Sequence, residues 1–473
     1  MNRSTRPSRS AGTTAKRGHR PAGQSPRARP ATRPAAPKLL SPDSLAWAMR
    51  VASSCVTDVV AFGRSLTVVL AELRQRDLPP DAVRSQAIDL AYATLRRYCR
   101  GDVELSLLLD RPTAEDELRS LLRVALCWLE MHPDKAHVGV DQAVEAAATL
   151  SGGRYRGFVN AILRRALRER AALDKAIASD AEAAWQHPQW WLNRLQKDWP
   201  DKWQAIADGG NRKPPMGLRI NPLAITPKAY VEALAAEGIA LQPPVAEDGP
   251  EALLLAQPRP ADALPGFKQG QVVIQDIGAQ QAARLLDVQP GMRVLDACAA
   301  PGGKSLHLLQ SAAVDLTAIE VDPERCAALR RALESAALPS DRSVQVICAD
   351  AADTTSTAAS WAKRPFDAIL LDAPCSGSGV AGRHPDAKWL RREDDVYALA
   401  RTQKRLLKAL WPLLKPGGRL LYGTCSVFVQ ENDAQVETFL AQTPDAQQLT
   451  RVHLLPDARH DGFFFALLCK VLV

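Results

Sequence analysis

The sequence predicts a multidomain protein with an all-α front domain, a small α+β module and an α/β domain built on an open, doubly wound sheet. Apolar residues recur at spacings of three and four through residues 41–173, which is typical of amphipathic helices. Residues 216–271 hold three short strand-like runs and one helical pattern. From about residue 276 onward, short apolar strands alternate with helical patterns, which indicates the doubly wound sheet.

The composition excludes several protein classes. No apolar run approaches the roughly 18 residues that a membrane-spanning helix needs, so no membrane partner is expected. The nine cysteines are scattered without a C-x-x-C pair, which argues against a disulfide framework and against a structural zinc site. The eight histidines show no ligand spacing, so no metal is expected. Together with the lack of an apolar signal segment, this pattern predicts a cytoplasmic protein.

Residues 1–38 form a predicted disordered basic tail. They carry ten Lys and Arg and no acid, while the remaining residues balance 50 basic against 52 acidic side chains. The tail is rich in Pro, Ser, Thr and Ala and cannot bury a core of its own. Such an arm attracts phosphates without reading sequence. A solubility tail or a wrongly assigned start codon explains the same composition equally well, so the tail alone does not establish an RNA partner.

The helical front domain is assigned to residues 39–180. Ser41, Pro42 and Asp43 are predicted to cap its first helix. Further helices are predicted over residues 82–98, 115–130, 140–150 and 155–170. The segment GRYRGFVNAILRRALRER, which contains the last of these helices, carries six arginines that form either a solvated face or a phosphate-binding face: Arg154, Arg156, Arg164, Arg165, Arg168 and Arg170.

Residues 181–270 are predicted to be a helical linker followed by the small α+β module, which is RRM-like in kind. The linker is dense in tryptophan, and we expect these rings to be packing anchors between domains rather than stacking platforms for bases. In the module, the runs MGLRIN, ALLLA and QVVIQD are expected as strands around one helix at residues 227–237.

The α/β domain is assigned to residues 271–473. Its strands are predicted at residues 293–297, 316–321, 344–349, 366–372, 418–423 and 462–468. Its helices are predicted at residues 278–286, 304–309, 323–336, 395–414 and 430–441. Ligands of such sheets bind at the carboxyl ends of the strands, where the strand order reverses.

The loop after the first of these strands reads DACAAPGGKS over residues 296–305. Gly302 and Gly303 allow the backbone to approach a ligand closely. The phosphate-binding pattern G-x-x-x-x-G-K-[ST] fails here because Cys298 stands in place of its first glycine, and G-x-G-x-x-G is absent. The loop therefore predicts a nucleotide-like ligand without a bound polyphosphate.

Four successive strands each end in a carboxylate. Glu320 lies 17 residues after Gly303, close to the spacing at which an acid meets a ribose diol. A row of acids suits hydroxyls, an adenine amino group and a positive charge, and S-adenosylmethionine has all three. We therefore expect S-adenosylmethionine as the cofactor, held at this row of acids: Asp296, Glu320 with Asp322, Asp350 and Asp372.

Two cysteines follow the fourth and fifth strands of this domain, namely Cys375 and Cys425. If these strands are neighbours, about 4.8 Å apart, both thiols open onto the cofactor crevice. Methyl transfer to C5 of a pyrimidine needs a thiolate, because addition at C6 makes C5 nucleophilic. Asp372 is placed to stabilise charge on the base. The remaining cysteines outside the cofactor loop are expected to be small buried hydrophobes: Cys55, Cys99, Cys127, Cys326, Cys348 and Cys469.

The motifs DACAAPGGK, LLDAPCSGSGV, RHPDAKWL, GTCSV and DGFFFAL resemble the Sun (Nop2/Sun) family of RNA cytosine-C5 methyltransferases. The segments AYATLRRYCR and GFVNAILRR resemble the NusB-like RNA-binding domain fused to that core in the bacterial members that act on small-subunit rRNA. The resemblance implies a class I, Rossmann-like methyltransferase domain. It also implies a monomer that methylates C5 of a flipped-out cytosine of 16S rRNA, at cytosine 967, before the subunit is fully assembled.

The resemblance also assigns roles to residues. It makes Cys425 the nucleophile that attacks C6, and Cys375 the group that assists proton removal and product release; spacing alone leaves that choice open. Lys304 and the segment 383–388 are expected to help place the substrate. The cofactor contacts implied are Cys298, Ala299, Ala300, Pro301, Gly302, Gly303, Lys304, Glu320, Asp322, Asp350 and Asp372.

Two alternatives remain open from the sequence. The first is a cytosine-C5 methyltransferase that acts on tRNA or 23S rRNA, because no motif reads the target. The second is an assembly or antitermination factor that binds RNA with its helical domain and carries an inactive methyltransferase shell. The presence of both cysteines and all the strand-end acids argues against such an inactive shell.

Overall fold

The computed structural model describes residues 40–75, 81–113, 115–336, 338–356 and 359–472. The basic tail predicted at residues 1–38 lies outside these described residues. Within them, helical, α+β and α/β units follow one another in the predicted order. No helix in these ranges is both long enough and apolar enough to cross a membrane.

The front domain is a bundle of helices around one apolar core. Met49, Leu121 and Val124 are fully buried in it, so the apolar spacing seen in the sequence is the core-facing side of each helix. Its helices are α1 (Leu45–Val60), α2 (Leu66–Gln75), α3 (Asp81–Arg96), α4 (Tyr98–Leu108), α5 (Asp116–Met131), α6 (Ala136–Ala147), α7 (Arg156–Arg168) and α8 (Arg170–Ser179).

Two details of the predicted helices are wrong. The cap of α1 is Ser44, whose hydroxyl accepts the Trp47 N–H at 3.1 Å, whereas Ser41 contributes only its carbonyl to the preceding turn. The helix predicted over residues 82–98 is interrupted at Arg97, whose φ of −113° and ψ of 24° are not helical. The chain therefore turns between α3 and α4 instead of continuing straight.

The tryptophan-rich linker forms three short helices: α9 (Ala181–Trp185), α10 (Gln189–Asp198) and α11 (Trp203–Gly209). Trp191 is buried, with its ring centroid 5.2 Å from that of Phe428. The Trp199 indole N–H donates to the Val427 carbonyl at 2.7 Å. These rings attach the linker to the α/β domain, which confirms the prediction that they are packing anchors.

The α+β module is a three-stranded antiparallel sheet with one helix, as predicted. Thr226 caps the helix by accepting the Ala229 N–H. Tyr230 and Leu234 of that helix are fully buried in the module's core. The strand order is β2-β1-β3, and the elements are β1 (Gly217–Ile220), α12 (Pro227–Ala236), β2 (Ala252–Leu254) and β3 (Val272–Ile274).

The α/β domain holds a seven-stranded sheet of order β6-β5-β4-β7-β8-β10-β9. The first five strands in that order run parallel, and β10 is antiparallel to both of its neighbours. The chain reverses its strand order between β4 and β7, which is where a ligand crevice is expected. The elements are α13 (Ile277–Leu286), β4 (Arg293–Asp296), α14 (Gly303–Ser311), β5 (Asp315–Glu320), α15 (Pro323–Glu334), β6 (Ser343–Cys348), β7 (Phe366–Asp372), α16 (Ala387–Leu390), α17 (Glu393–Leu410), β8 (Leu414–Thr424), α18 (Asp433–Gln442), β9 (Ala446–Leu454) and β10 (Phe463–Lys470).

The prediction of six strands missed β9, the edge strand of this sheet. An edge strand has one neighbour and tolerates polar residues on most of its surface, so its sequence lacks a clear apolar pattern. The helix predicted over residues 395–414 ends earlier, at Leu410. A single turn over Trp411–Leu413 leads from there directly into β8.

The prediction that the segment 383–388 helps to place substrate is wrong for Lys388, because this side chain is fully buried. Its ammonium donates to the Gln186 carbonyl at 2.9 Å and to Asn211 Oδ1 at 2.8 Å, with the Arg96 carbonyl at 3.4 Å. Burial lowers the pKa of Lys388 to about 7. Lys388 therefore joins the front domain, the linker and the α/β domain.

Replacing Lys388 with methionine is expected to lower the free energy of unfolding by about 2–4 kcal/mol. Methionine fills a similar volume but leaves the buried acceptor oxygens without a donor. Chemical unfolding of both proteins measures the difference. Lys404→Met, at an exposed position on α17, is the matched control and should change stability by less than about 0.5 kcal/mol. Equal losses in the two variants would contradict this account of Lys388.

Candidate active site

The cofactor loop predicted from the sequence runs from the end of β4 into α14. Gly302 has a φ of +104°, and a Cβ added there would lie 2.8 Å from Leu329 Cδ1. A side chain is therefore excluded at Gly302 by its backbone and by its neighbour. A Cβ at Gly303, the first residue of α14, would meet only Gln275 Nε2, at 3.7 Å. The start of α14 is thus free of side chains.

Two predicted acids stand buried at neighbouring strand ends. Asp296 is fully buried, and its Oδ2 accepts the Ser305 hydroxyl at 2.6 Å. Burial raises the pKa of Asp296 to about 7. Glu320 is also buried; it accepts the Asp322 N–H at 3.0 Å and faces the Arg325 guanidinium at 3.4 Å. Both acids are held at fixed positions below the loop.

Two further acids of the cofactor row, Asp322 and Asp350, already have protein partners. Asp322 caps α15 by accepting the Arg325 N–H. Asp350 accepts the Ala352 N–H and pairs with Arg405 at 2.7 Å. Burial alone would raise the pKa of Asp350, but these two partners outweigh burial and lower it. A cofactor contact for either acid remains a prediction.

Cys375 and Cys425 are brought together by the pairing of β7 with β8. These strands are parallel neighbours, with Asp372 opposite Gly423, as the sequence argument required. The two sulfur atoms are 3.2 Å apart, and both cysteines are partly exposed. The contact with Cys425, together with burial, raises the pKa of Cys375. The two thiols form one reactive pair at the carboxyl edge of the sheet.

An ion pair lies beside the thiols. Lys304, near the start of α14, donates to Asp372 Oδ2 at 2.6 Å. Burial alone would lower the pKa of Lys304, but Asp372 outweighs burial and raises it, with Cys425 adding to the effect. The cofactor loop and the cysteine loops therefore meet at this lysine.

Arg383, the first residue of the segment expected to place substrate, is held by two acids. It contacts Asp461 at 2.6 Å and Asp276 at 3.1 Å. Burial and the nearby Asp461 raise the pKa of Asp276 to about 6. About a third of the Arg383 side chain remains exposed, so its substrate role stays a prediction.

Sequence reasoning missed the groups directly behind the cysteines. Glu431 is fully buried, and its carboxyl accepts hydrogen bonds from Ser376 and Ser426, the residues that follow the two cysteines. No signal in the sequence marks this acid, because Ser376 and Gln403, two of the three residues that donate to it, lie 55 and 28 residues away along the chain. Among the described residues, no group of three or more His, Cys, Asp or Glu is arranged to hold a metal ion.

The prediction that the other six cysteines are buried is wrong for two of them. Cys348 is exposed at the end of β6, which is an edge strand, and Cys469 is partly exposed near the end of β10. The remaining four are buried as predicted: Cys55, Cys99, Cys127 and Cys326.

Family models match three successive segments of the chain. The NusB family matches residues 49–168, the ferredoxin-like domain of the RsmF/B-like methyltransferases matches 187–262, and the 16S rRNA methyltransferase RsmB/F model matches 283–469. The chain is 37% identical over 431 residues to ribosomal RNA small subunit methyltransferase B of Cronobacter sakazakii, covering 89% of this chain and 98% of that relative. The chain belongs to the RsmB/F family of 16S rRNA methyltransferases.

A second RsmB relative, ribosomal RNA small subunit methyltransferase B of Xanthomonas campestris, is 43% identical over 425 residues, covering 86% of this chain and 93% of the relative. The crystal structure of PH0851 has the same fold, with a TM-score of 0.71 over 92% of this chain and all of that one, at 23% identity. Membership of the RsmB/F family confirms the resemblance, the fold class and an enzyme that methylates 16S rRNA.

Proposed function

We propose that this enzyme transfers a methyl group from S-adenosylmethionine to C5 of one cytosine of 16S rRNA, the position implied by the resemblance being cytosine 967. The observation that carries the proposal is the pair of thiols 3.2 Å apart beside Lys304 and Asp372. Oxygen and nitrogen acceptors attack a methyl group with their own lone pairs and need no thiol. A pyrimidine C5 needs one, because covalent addition at C6 makes it nucleophilic.

The residues around the cofactor loop fit S-adenosylmethionine. Gly302 and Gly303 keep the start of α14 clear of side chains. Glu320 stands at the end of β5, and a carboxylate accepts up to about four hydrogen bonds, enough for a ribose diol in addition to its present partners. Val321, the next residue, is 64% exposed and offers an apolar surface for the face of an adenine. When bound, S-adenosylmethionine supplies an electrophilic methyl group.

The protein's own groups perform the remaining chemistry. The Cys425 thiolate adds to C6 of cytosine, so that a sulfur–carbon bond forms and electron density moves to C5, which takes the methyl group. The Lys304–Asp372 pair stabilises the negative charge that develops near N3 of the base, because the Lys304 ammonium supplies a positive charge and a proton beside the Asp372 carboxylate. Cys375 assists removal of the C5 proton, after which the C6–sulfur bond breaks and Cys425 leaves as a thiolate. The base regains its double bond, now with a methyl group at C5.

The substrate must present the cytosine out of its stack, because C6 is shielded within a helix. Such a target is accessible on rRNA before the small subunit is fully assembled, in the cytoplasm. The face of α7 contributes to RNA binding in this proposal, because Arg156, Arg164 and Arg168 are exposed there and phosphates bind arginine without sequence preference.

The decisive experiment uses unmethylated 16S rRNA and S-adenosylmethionine labelled in its methyl group. Mass spectrometry of the digested nucleosides should place the label in 5-methylcytidine at a single position. 23S rRNA and tRNA serve as control substrates and should stay unlabelled. Label on a ring nitrogen or on a ribose oxygen would overturn the proposal, because neither product requires the thiol pair.

Replacing Gly302 with alanine is expected to weaken S-adenosylmethionine binding by about tenfold, which corresponds to about 1.4 kcal/mol. The new Cβ meets Leu329 and displaces the loop. Calorimetric titration measures the affinity. Gly291→Ala is the matched control, because Gly291 also has a positive φ, +81°, but has no atom within 4 Å of an added Cβ. Similar losses of affinity in both variants would show that backbone strain alone is responsible.

A further inference from the structure

The buried carboxylate of Glu431 lies behind the two thiols. It ends a turn over Val429–Glu431, shortly after β8. Its Oε1 accepts the Ser376 N–H at 2.8 Å and the Gln403 side-chain N–H at 3.2 Å. Its Oε2 accepts the Ser376 hydroxyl at 2.5 Å and the Ser426 hydroxyl at 2.6 Å. All four groups donate, which is the arrangement that an ionised carboxylate requires.

The two serines connect this carboxylate to the two cysteines. Ser376 directly follows Cys375, and Ser426 directly follows Cys425. The β7–β8 ladder ends at Asp372 and Gly423, so the cysteines lie beyond the regular pairing of the strands. Past that point the two loops are joined by the Gly379 N–H to the Cys425 carbonyl at 2.9 Å, by Ser378, whose hydroxyl contacts Ser426 Oγ at 2.9 Å and accepts the Val427 N–H at 2.9 Å, and by the bonds to Glu431.

We propose that Glu431 is a positioning residue for the thiol pair, because its carboxylate ties the residue after Cys375 to the residue after Cys425 and so holds the two sulfur atoms in contact. This inference rests on the proposed cytosine-C5 chemistry and goes beyond it by naming the group that arranges the thiols. The Glu431 carboxylate makes no hydrogen bond to either thiol; it reaches the cysteine loops through hydrogen bonds from Ser376 and Ser426.

The charge of Glu431 also distinguishes the two cysteines. Besides the Cys425 contact and burial, the negative charge of Glu431 raises the pKa of Cys375. The Lys304 ammonium lies near the other thiol, because Cys425 is among the groups that raise the pKa of Lys304. The negative charge of Glu431 therefore disfavours the thiolate form of Cys375, whose sulfur lies 3.2 Å from that of Cys425. This asymmetry agrees with Cys425 as the nucleophile, a choice that residue spacing left open.

The first test is thiol reactivity, which needs neither RNA nor methyl donor. In a Cys425→Ser background, iodoacetamide labelling of Cys375 is followed by peptide mass spectrometry as a function of pH. Adding Glu431→Gln should move the labelling midpoint about one pH unit lower, because the neighbouring negative charge is gone. Glu437→Gln, an exposed acid on α18, is the matched control and should leave the midpoint in place.

The second test is turnover. Glu431→Gln in the otherwise unchanged enzyme should reduce kcat about tenfold or more, while the KM for rRNA and the affinity for S-adenosylmethionine stay within about twofold. Glu437→Gln should have the kcat of the unchanged enzyme. If kcat falls but the labelling midpoint of Cys375 does not shift, Glu431 has only a structural role. If the labelling midpoint shifts but kcat does not fall, Glu431 does not position the thiols for the reaction. Either result overturns the inference.

A second variant keeps the inference testable if Glu431→Gln does not fold. Ser426→Ala removes one tie but keeps the carboxylate, so kcat should fall about threefold while the labelling midpoint does not move lower. A kcat equal to that of the unchanged enzyme would overturn the inference. If the unchanged enzyme fails to make 5-methylcytidine, the proposed function fails, whereas the labelling experiment still decides what Glu431 does to Cys375.

Discussion

In the Cys425→Ala variant, the rate of methyl transfer is expected to fall by about 10⁴-fold or more, because no other group in the site can add to C6 of the cytosine. Cys375 lies 3.2 Å away in the unchanged enzyme, and its burial and the charge of Glu431 still raise its pKa when Cys425 is absent, which disfavours its thiolate form. Single-turnover transfer of labelled methyl groups to unmethylated 16S rRNA measures the loss. S-adenosylmethionine affinity should remain that of the unchanged enzyme, since Cys425 is not among the residues proposed to contact the cofactor.

The control for this variant is Cys469→Ala, a partly exposed cysteine near the end of β10 and away from the crevice. It should retain full activity. If Cys425→Ala keeps activity within about tenfold of the unchanged enzyme, the covalent mechanism is wrong. If Cys425→Ala is active and Cys375→Ala is not, the roles of the two thiols are reversed.

Cys375→Ala is expected to trap the reaction part-way. The remaining Cys425 thiolate still attacks C6, but the group that assists removal of the C5 proton is missing, so the protein–RNA bond persists. Turnover should fall by about 10²–10⁴-fold, the usual contribution of a proton-transfer group. A band of covalent protein–RNA complex on a denaturing gel should accumulate with time.

The double variant Cys375→Ala, Cys425→Ala is the control, and it should give no such band. Nuclease treatment should return the complex to the mobility of the free protein, which identifies RNA as the attached partner. Normal turnover in Cys375→Ala with no trapped complex would mean that another base, or water, removes the C5 proton.

The placement of the thiols could be predicted from sequence because it depends on local features. Each strand of a parallel sheet ends at the same edge, so residues just after two strands lie close together whenever those strands are neighbours. Cys375 and Cys425 satisfy both conditions. The positions of two acids of the cofactor row could be predicted in the same way, because Asp296 and Glu320 end the neighbouring strands β4 and β5.

The buried charges could not be predicted in this way. Lys388 finds its acceptors on Gln186 and Asn211, and Glu431 finds its donors on Ser376 and Gln403, all far away along the chain. A single Lys or Glu in a local pattern is normally read as a surface residue, since burial requires partners that only the tertiary structure supplies.

The joint around Lys388 has a mechanical consequence for site selection. Besides the bonds of Lys388, the Trp389 indole N–H donates to the Leu95 carbonyl at 2.8 Å, and the Arg96 guanidinium donates to the Gly382 carbonyl at 2.9 Å. Swinging the helical bundle away would break both of these bonds and would take the Arg96 carbonyl from the buried Lys388 ammonium. The front bundle and the two thiols are therefore held at a fixed distance from each other. If the α7 face binds RNA as proposed, the nucleotide that reaches Cys425 lies at one set distance along the RNA from the bound stretch.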